Sequence, residues 1–184
     1  TFQHQGGKIL VEFIKKKSAI QFYEQLKEQL STYEIELLTG DDHKAERARI
    51  IGRALQEQQL ILVATQVVEA GVDIDMDIGF KNISILDAEE QFAGRINRSC
   101  KNENGGYVYF FELDQVNVIY KGDLRVNRLE DYSVRNPNFQ QLLLEKNFLD
   151  FYRAVFERVE QETTKQNEQN WEQFRIEKIC SLDF

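Results

Sequence analysis

Over roughly the first two-thirds of the chain, short apolar runs alternate with stretches whose apolar residues recur every three or four positions. KILVEF (8–13), EIELL (34–38), LILVAT (60–65), NISILD (82–87) and GYVYFFEL (106–113) read as strands. Between the first two, SAIQFYEQLKEQL reads as a helix opened by Ser18, with Ile20, Phe22, Tyr23, Leu26 and Leu30 on its inner side. TGDD is a turn, and a helix over 43–58 should place Ala45, Ala48, Ile51 and Leu55 toward the core. Asp87 is expected to cap the helix after the fourth strand, with Glu90 completing a capping box. Strands separated by helices require crossover connections, hence an α/β fold with a mostly parallel sheet flanked by helices. LILVA and KILVEF are apolar on both faces, as a doubly covered sheet needs.

Beyond residue 114 the pattern changes. Residues 114–137 are polar and irregular, and Pro137 is the single proline of the chain. Asn138 can then start a helix, and Phe139, Leu142, Leu143, Leu149, Tyr152, Val155, Phe156 and Val159 keep a helical spacing over about six turns. ETTKQNEQN is a polar break before WEQFRIEKICSLDF, with Trp171, Phe174 and Ile179. The division is therefore 1–114 for the α/β domain and 115–184 for a linker and helical extension. That extension docks on the domain or on an absent neighbour, and the chain reads as a piece of a longer protein or a split subunit.

Composition narrows the function. At 184 residues and 42% apolar content the chain can bury a full core. A net charge of −8 argues against nucleic-acid binding through a broad basic surface, though not against a narrow groove. Two histidines, His4 and His43, and two cysteines, Cys100 and Cys180, have no metal-ligand spacing. His43 reads as a surface residue. Reduced thiols and the lack of a signal peptide or an apolar run long enough to span a membrane point to the cytoplasm.

In parallel α/β sheets ligands gather beyond the carboxyl ends of the strands. Thr39 and Gly40 follow the second strand, and Thr65 begins the loop ATQVVEAGVDID. That loop has Gly71, where backbone can approach a ligand, then Asp73 and Asp75. It suits a phosphate or a ribose hydroxyl, and equally a tight turn with a polar rim. DIDMDIG is not a calcium loop, since Ile78 and Ser84 stand where the ion needs glycine and glutamate. EEQFAGRINRS places Gln91, Arg95 and Arg98 on one stripe if it is helical throughout. Such a stripe is either a solvated face with salt bridges or an anion clamp, because guanidinium is a permanent planar fork for phosphate oxygens.

TQVVEAGVDID followed by QFAGRINR resembles motifs five and six of superfamily-two helicases. The sixth motif, Q-x-x-G-R-x-x-R, is matched by Gln91, Gly94, Arg95 and Arg98. With the order of elements, the resemblance covers 7–113 and implies the second RecA-like domain of such a motor. Within the superfamily the chain is most similar to the helicase half of the CRISPR-associated helicase–nuclease of type I systems. KILVEFIKKKSAIQFYEQLK, ATQVVEAGVDID, EEQFAGRINRS and, in the tail, NWEQFRIEKI carry that likeness.

The resemblance implies an ATP-dependent single-strand translocase acting in CRISPR interference against foreign DNA. ATP and Mg2+ would lie between two RecA-like domains, and the phosphate loop and acidic box would come from the first. This chain contains neither G-x-x-x-x-G-K-[ST] nor D-E-x-[DH], so it is expected to be inactive alone. By the same resemblance Arg95 and Arg98 would be arginine fingers and Gln91 would face the nucleotide. Gly71, Asp73 and Gly94 would line the nucleotide, and Thr65, with Thr39 and Gly40, would contact the strand backbone. The implied partners are the first RecA-like domain of the same protein, single-stranded DNA and a CRISPR surveillance complex, with no membrane. Three alternatives stay open: a repair or branch-migration translocase, a docking module of helicase ancestry, and a small-molecule-binding α/β protein. The last would need a glycine-rich loop where FIKKKS stands.

Overall fold

Leu60–Ala64 (β3) is buried at every position. It lies between Glu34–Leu38 (β2) and Lys8–Glu12 (β1), and the sheet continues through Ile78–Asn82 (β4) to Tyr107–Phe111 (β5). All four strand pairs are parallel. The computed structural model describes residues 7–103, 105–121, 123, 125–126, 132–153, 155–161, 164–165 and 168. His4, Trp171, Phe174, Ile179 and Cys180, singled out from sequence, lie outside them. The chain divides into two compact units, Thr1–Pro137 and Asn138–Phe184.

Strand alternation splits the core of the first unit into two layers. Val11, Ile35, Ile61 and Val63 face one way and pack with Phe13, Ala19, Phe22 and Leu26, the last three from Lys16–Gln29 (α1). Leu10, Leu38, Leu60, Leu62 and Ala64 face the other way, against Ile50 and Ala54 of Lys44–Gln56 (α2) and Phe92 of Leu86–Ala93 (α3). Each fully buried aliphatic or aromatic side chain is worth about 1.5–3 kcal/mol. α1 starts two residues before the expected Ser18. Its first turn is closed by Asp114, which accepts from Lys15 N at 2.8 Å and Ser18 Oγ at 2.6 Å. A carboxylate there also complements the positive end of the helix dipole.

Three expectations are corrected. The fourth strand is Ile78–Asn82 rather than 82–87, because Lys81 is buried there by charged partners that an apolar pattern does not reveal. α3 is not capped by Asp87. Its N-cap is Ile85, with no side-chain cap, and Asp87 in the first turn pairs with Arg125. Glu89, one turn in, accepts from Ser84 N at 3.1 Å and Val134 N at 2.8 Å. The inner face of α2 runs through Ile50, Ile51 and Ala54, while Ala45 and Ala48 are exposed and Leu55 is 57% exposed. His43 caps that helix from the surface, its Nδ1 accepting from Glu46 N at 3.1 Å.

In the second unit, the helix that begins at Pro137 (α4, Pro137–Glu145) does not run on for six turns. Lys146 adopts φ 55 and ends it, and helical backbone resumes at residue 149. The rings of Phe139 and Phe151 meet edge-on across this break, with centroids 5.2 Å apart.

Candidate functional site

The site is built on the loop that runs from the carboxyl end of β3 to the amino end of β4, with the turn after β2 beside its start. Leu38 and Ala64 are register partners, and Thr65 N donates to Leu38 O at 3.1 Å. Thr39 and Thr65 are therefore neighbours on adjacent strand ends, both nearly buried. Asp42 Oδ2 accepts from Thr39 N at 2.5 Å and Thr39 Oγ1 at 3.2 Å, which closes the expected turn and leaves Gly40 exposed. A Cβ at Gly40 would sit 3.9 Å from Val67 Cγ1, so the turn and the loop after β3 lie against each other.

That loop opens with a 3-10 turn, Gln66–Val68, then reaches Gly71 at φ 71, a conformation costly for a residue with a Cβ. From there VDIDMD alternates. Val72, Ile74 and Met76 are buried, whereas Asp73, Asp75 and Asp77 turn outward. Two of the three carboxylates meet Arg98, and the third meets β1. Asp73 pairs with Arg98 at 3.3 Å, Asp75 accepts from Arg98 N at 2.8 Å and from Ser99 Oγ, and Asp77 accepts from Lys8 N at 2.6 Å. Although burial acts to raise it, the Asp75 carboxyl sits below its ordinary pKa because of the bonds from Ser99 and Arg98. Among the described residues no group of three His, Cys, Asp or Glu side chains is placed to hold a metal.

The arginine stripe is corrected. α3 ends at Ala93, Gly94 is its C-cap, and Arg95 and Arg98 lie beyond it rather than on the face that carries Gln91. The chain there turns to pair with the loop after β3: Met76 N donates to Arg95 O at 2.9 Å, and Asn97 N to Met76 O at 2.7 Å. Two glycines make room for the close approach. A Cβ at Gly79 would sit 2.6 Å from Phe92 Cε1, and one at Gly106 would sit 2.7 Å from Ile96 Cγ2. So the candidate residues do converge, through an inter-segment bridge instead of a helical stripe. Gln91 stays exposed on α3.

The two arginines are held differently. Arg95 is half-buried and donates from Nε to Val68 O at 3.1 Å and from Nη2 to Glu69 O at 2.8 Å, leaving Nη1 outside both bonds. Burial first, then the adjacent Arg98 charge, pushes its pKa below the ordinary arginine value. Arginine keeps its charge in a protein. Two like charges held close thus favour an anion beside them. Arg98 is 44% exposed and its partner Asp73 is 87% exposed. Such a pair is worth about 0–1 kcal/mol and yields readily to a better anion.

Sequence reasoning missed the charges beneath this site. Glu12 and Lys81 are register partners on β1 and β4, both essentially buried, and Lys81 Nζ pairs with Glu12 and, at 2.7 Å, with Glu69 Oε1. The available signal was a glutamate and a lysine inside otherwise apolar strands.

Comparison with known proteins gives the family and the fold. The family model described as CRISPR-associated nuclease/helicase Cas3, C-terminal, matches residues 5–101, more than half of the chain. The chain belongs to the Cas3-like C-terminal family. A curated Cas3 from Methanothermobacter thermautotrophicus is 27% identical over 171 residues, spanning 83% of this chain and 17% of the relative. One from Haloferax volcanii is 38% identical over 68 residues, 36% of this chain and 7% of the relative. The chain thus spans less than a fifth of either Cas3 relative. The crystal structure of T. fusca Cas3-ATP superposes with TM-score 0.58 at 19% identity, covering 89% of this chain and 22% of that one. A crystal structure of a CRISPR-associated protein gives 0.55 at 19% identity, covering 94% and 23%. These likenesses show the shared RecA-like α/β fold, a five-stranded parallel sheet with flanking helices.

Proposed function

We propose that this chain is the C-terminal motor half of an ATP-dependent single-strand translocase working in CRISPR interference against foreign DNA. The observation that carries the reading is the convergence of Arg95 and Arg98 on the loop Thr65–Asp75, which leaves the carboxyl end of β3 and returns to the amino end of β4, in a Cas3-family chain. Arg98, weakly paired, and the Nη1 of Arg95 supply positive charge to the γ-phosphoryl group of an ATP held by a first RecA-like domain. Gln91 orders the attacking water or the nucleotide edge. Gly71, Asp73 and Gly94 border the nucleotide, with Gly71 giving close backbone approach and Asp73 released from Arg98 as phosphate takes its place. Thr65, Thr39 and Gly40 border a DNA backbone in this reading, with the exposed Gly40 as the point of close approach, and such contacts position a strand without reading bases.

The residues described here fit the arginine side of an ATP site. Mg2+ and the phosphate loop belong to the companion domain in this reading, and ATP supplies the transferable phosphoryl group. Steady-state ATPase of the complete protein with single-stranded DNA tests it: Arg98→Ala should abolish turnover while ATP still binds. DNA-stimulated turnover unchanged in Arg98→Ala would overturn it.

A further inference from the structure

Glu69 is held at both ends. Its carbonyl accepts from Arg95 Nη2 at 2.8 Å, and its carboxylate pairs with Lys81 Nζ at 2.7 Å. Lys81 in turn pairs with Glu12, its register neighbour, and its ammonium lies 5.3 Å from the Phe92 ring centroid of α3. Lys81 is 0% exposed and Glu12 1%. Glu12 Oε2 is buried without a hydrogen-bond partner among the described residues. Taking such charges out of water is costly, and an apolar pair of similar volume is commonly as stable or more so. What Lys81 gains in return is its link to Glu69 in the loop after β3.

We infer that Glu12, Lys81 and Glu69 form a buried brace that positions Arg95, locking the loop after β3 to the sheet so that the guanidinium is presented in one fixed geometry. The brace rests on the motor reading above for its consequence, not for its mechanics. Burial raises the Glu12 carboxyl to about 8, against the lowering pull of Lys81. For Lys81 burial lowers the pKa, but the two carboxylates outweigh it and the group is raised. The ammonium of Lys81 therefore persists between the two carboxyl groups that flank it. Lys81 is a positioning residue, because it reaches the site only through Glu69.

The test uses the complete protein and the double variant Glu12→Leu with Lys81→Met, which replaces the pair by apolar side chains. The expected result is a cooperatively folded protein whose melting temperature is lowered by the loss of the Glu69 cation, with roughly 10-fold faster deuterium exchange in peptides spanning 66–76. With these, kcat should fall roughly 10- to 100-fold with the KM for ATP nearly constant, as when a catalytic group is slightly misplaced. Unchanged exchange, or faster exchange with unchanged kcat while Arg95→Ala is inactive, would overturn the brace. Faster exchange with full turnover in both the double variant and Arg95→Ala would sink the motor reading and leave the mechanical link standing. If the double variant does not fold, Glu69→Gln, at a position only 11% exposed, gives the same readouts with the sheet pair intact.

Discussion

The guanidinium of Arg95 holds the carbonyl of Glu69 at 2.8 Å, joining segments 26 residues apart in the chain. This bond, with its neighbour to Val68, makes Arg95 a fixed member of the site and leaves Arg98 as the exposed, weakly paired one.

That difference predicts distinct variants. In the complete protein, Arg98→Ala should lower kcat by about 10³-fold or more, the range of arginine fingers, with a smaller effect on ATP affinity. Arg95→Ala should also lower kcat and, in addition, speed deuterium exchange of residues 66–72. Steady-state kinetics with a fluorescent-nucleotide binding assay would check both. Equal losses in binding and turnover would assign the arginines a ground-state role.

The purified chain by itself should release no phosphate from ATP above background, with or without single-stranded DNA. A malachite-green assay is sufficient. Turnover that disappears in Arg98→Ala would refute the division of the ATP site between two domains.

Gly79→Ala and Gly71→Ala separate packing from backbone strain. The Gly79 Cβ would meet Phe92 at 2.6 Å and Ile96 at 3.0 Å, so overpacking should cost about 1–3 kcal/mol in urea unfolding. Gly71 has open space around its Cβ but φ 71, so its alanine variant should cost about 1–2 kcal/mol, from strain alone. A Gly79→Ala variant as stable as the parent would contradict the close seating of α3 on β4.

Glu12 gives a pH dependence of unusual sign. Its folded pKa of about 8 stands above the ordinary carboxyl value of 4.5, so the folded state binds the extra proton between them. The stabilisation it contributes is full below about 4.5 and is lost as pH rises through 8. Lys81, Glu69 and Tyr120 are the titratable groups whose charges act with it. Relative to Glu12→Gln, the parent should therefore lose stability as pH rises from 5 to 9, measured by chemical unfolding. A parent that gains on the variant over that range would mean that Glu12 is ionised in the fold.

Much of the architecture was legible in local pattern. β1, β2, β3 and β5 stand where apolar runs placed them, most plainly β3, which is covered on both faces and apolar at every position. Gly71 was legible as a turn within a polar-rimmed loop, since glycine tolerates the positive φ it adopts there. β4 was misplaced because Gly79 and Lys81 break its apolar run, and the outward face of α2 was misread because alanines carry little directional signal.

The sequence by itself determined an α/β sheet, its order of elements, and a threonine–glycine–aspartate loop followed by two arginines of the Cas3-like pattern. Tertiary structure decided how those arginines are held. α3 stops at Gly94, and the bridge between Met76 and Ile96, seated over Gly79 and Gly106, carries Arg95 to the Val68 and Glu69 carbonyls. It also decided that Lys81 could be buried. An ammonium leaves water only where carboxylates meet it, and Glu12 and Glu69, 69 and 12 residues away, meet it only once the sheet has formed.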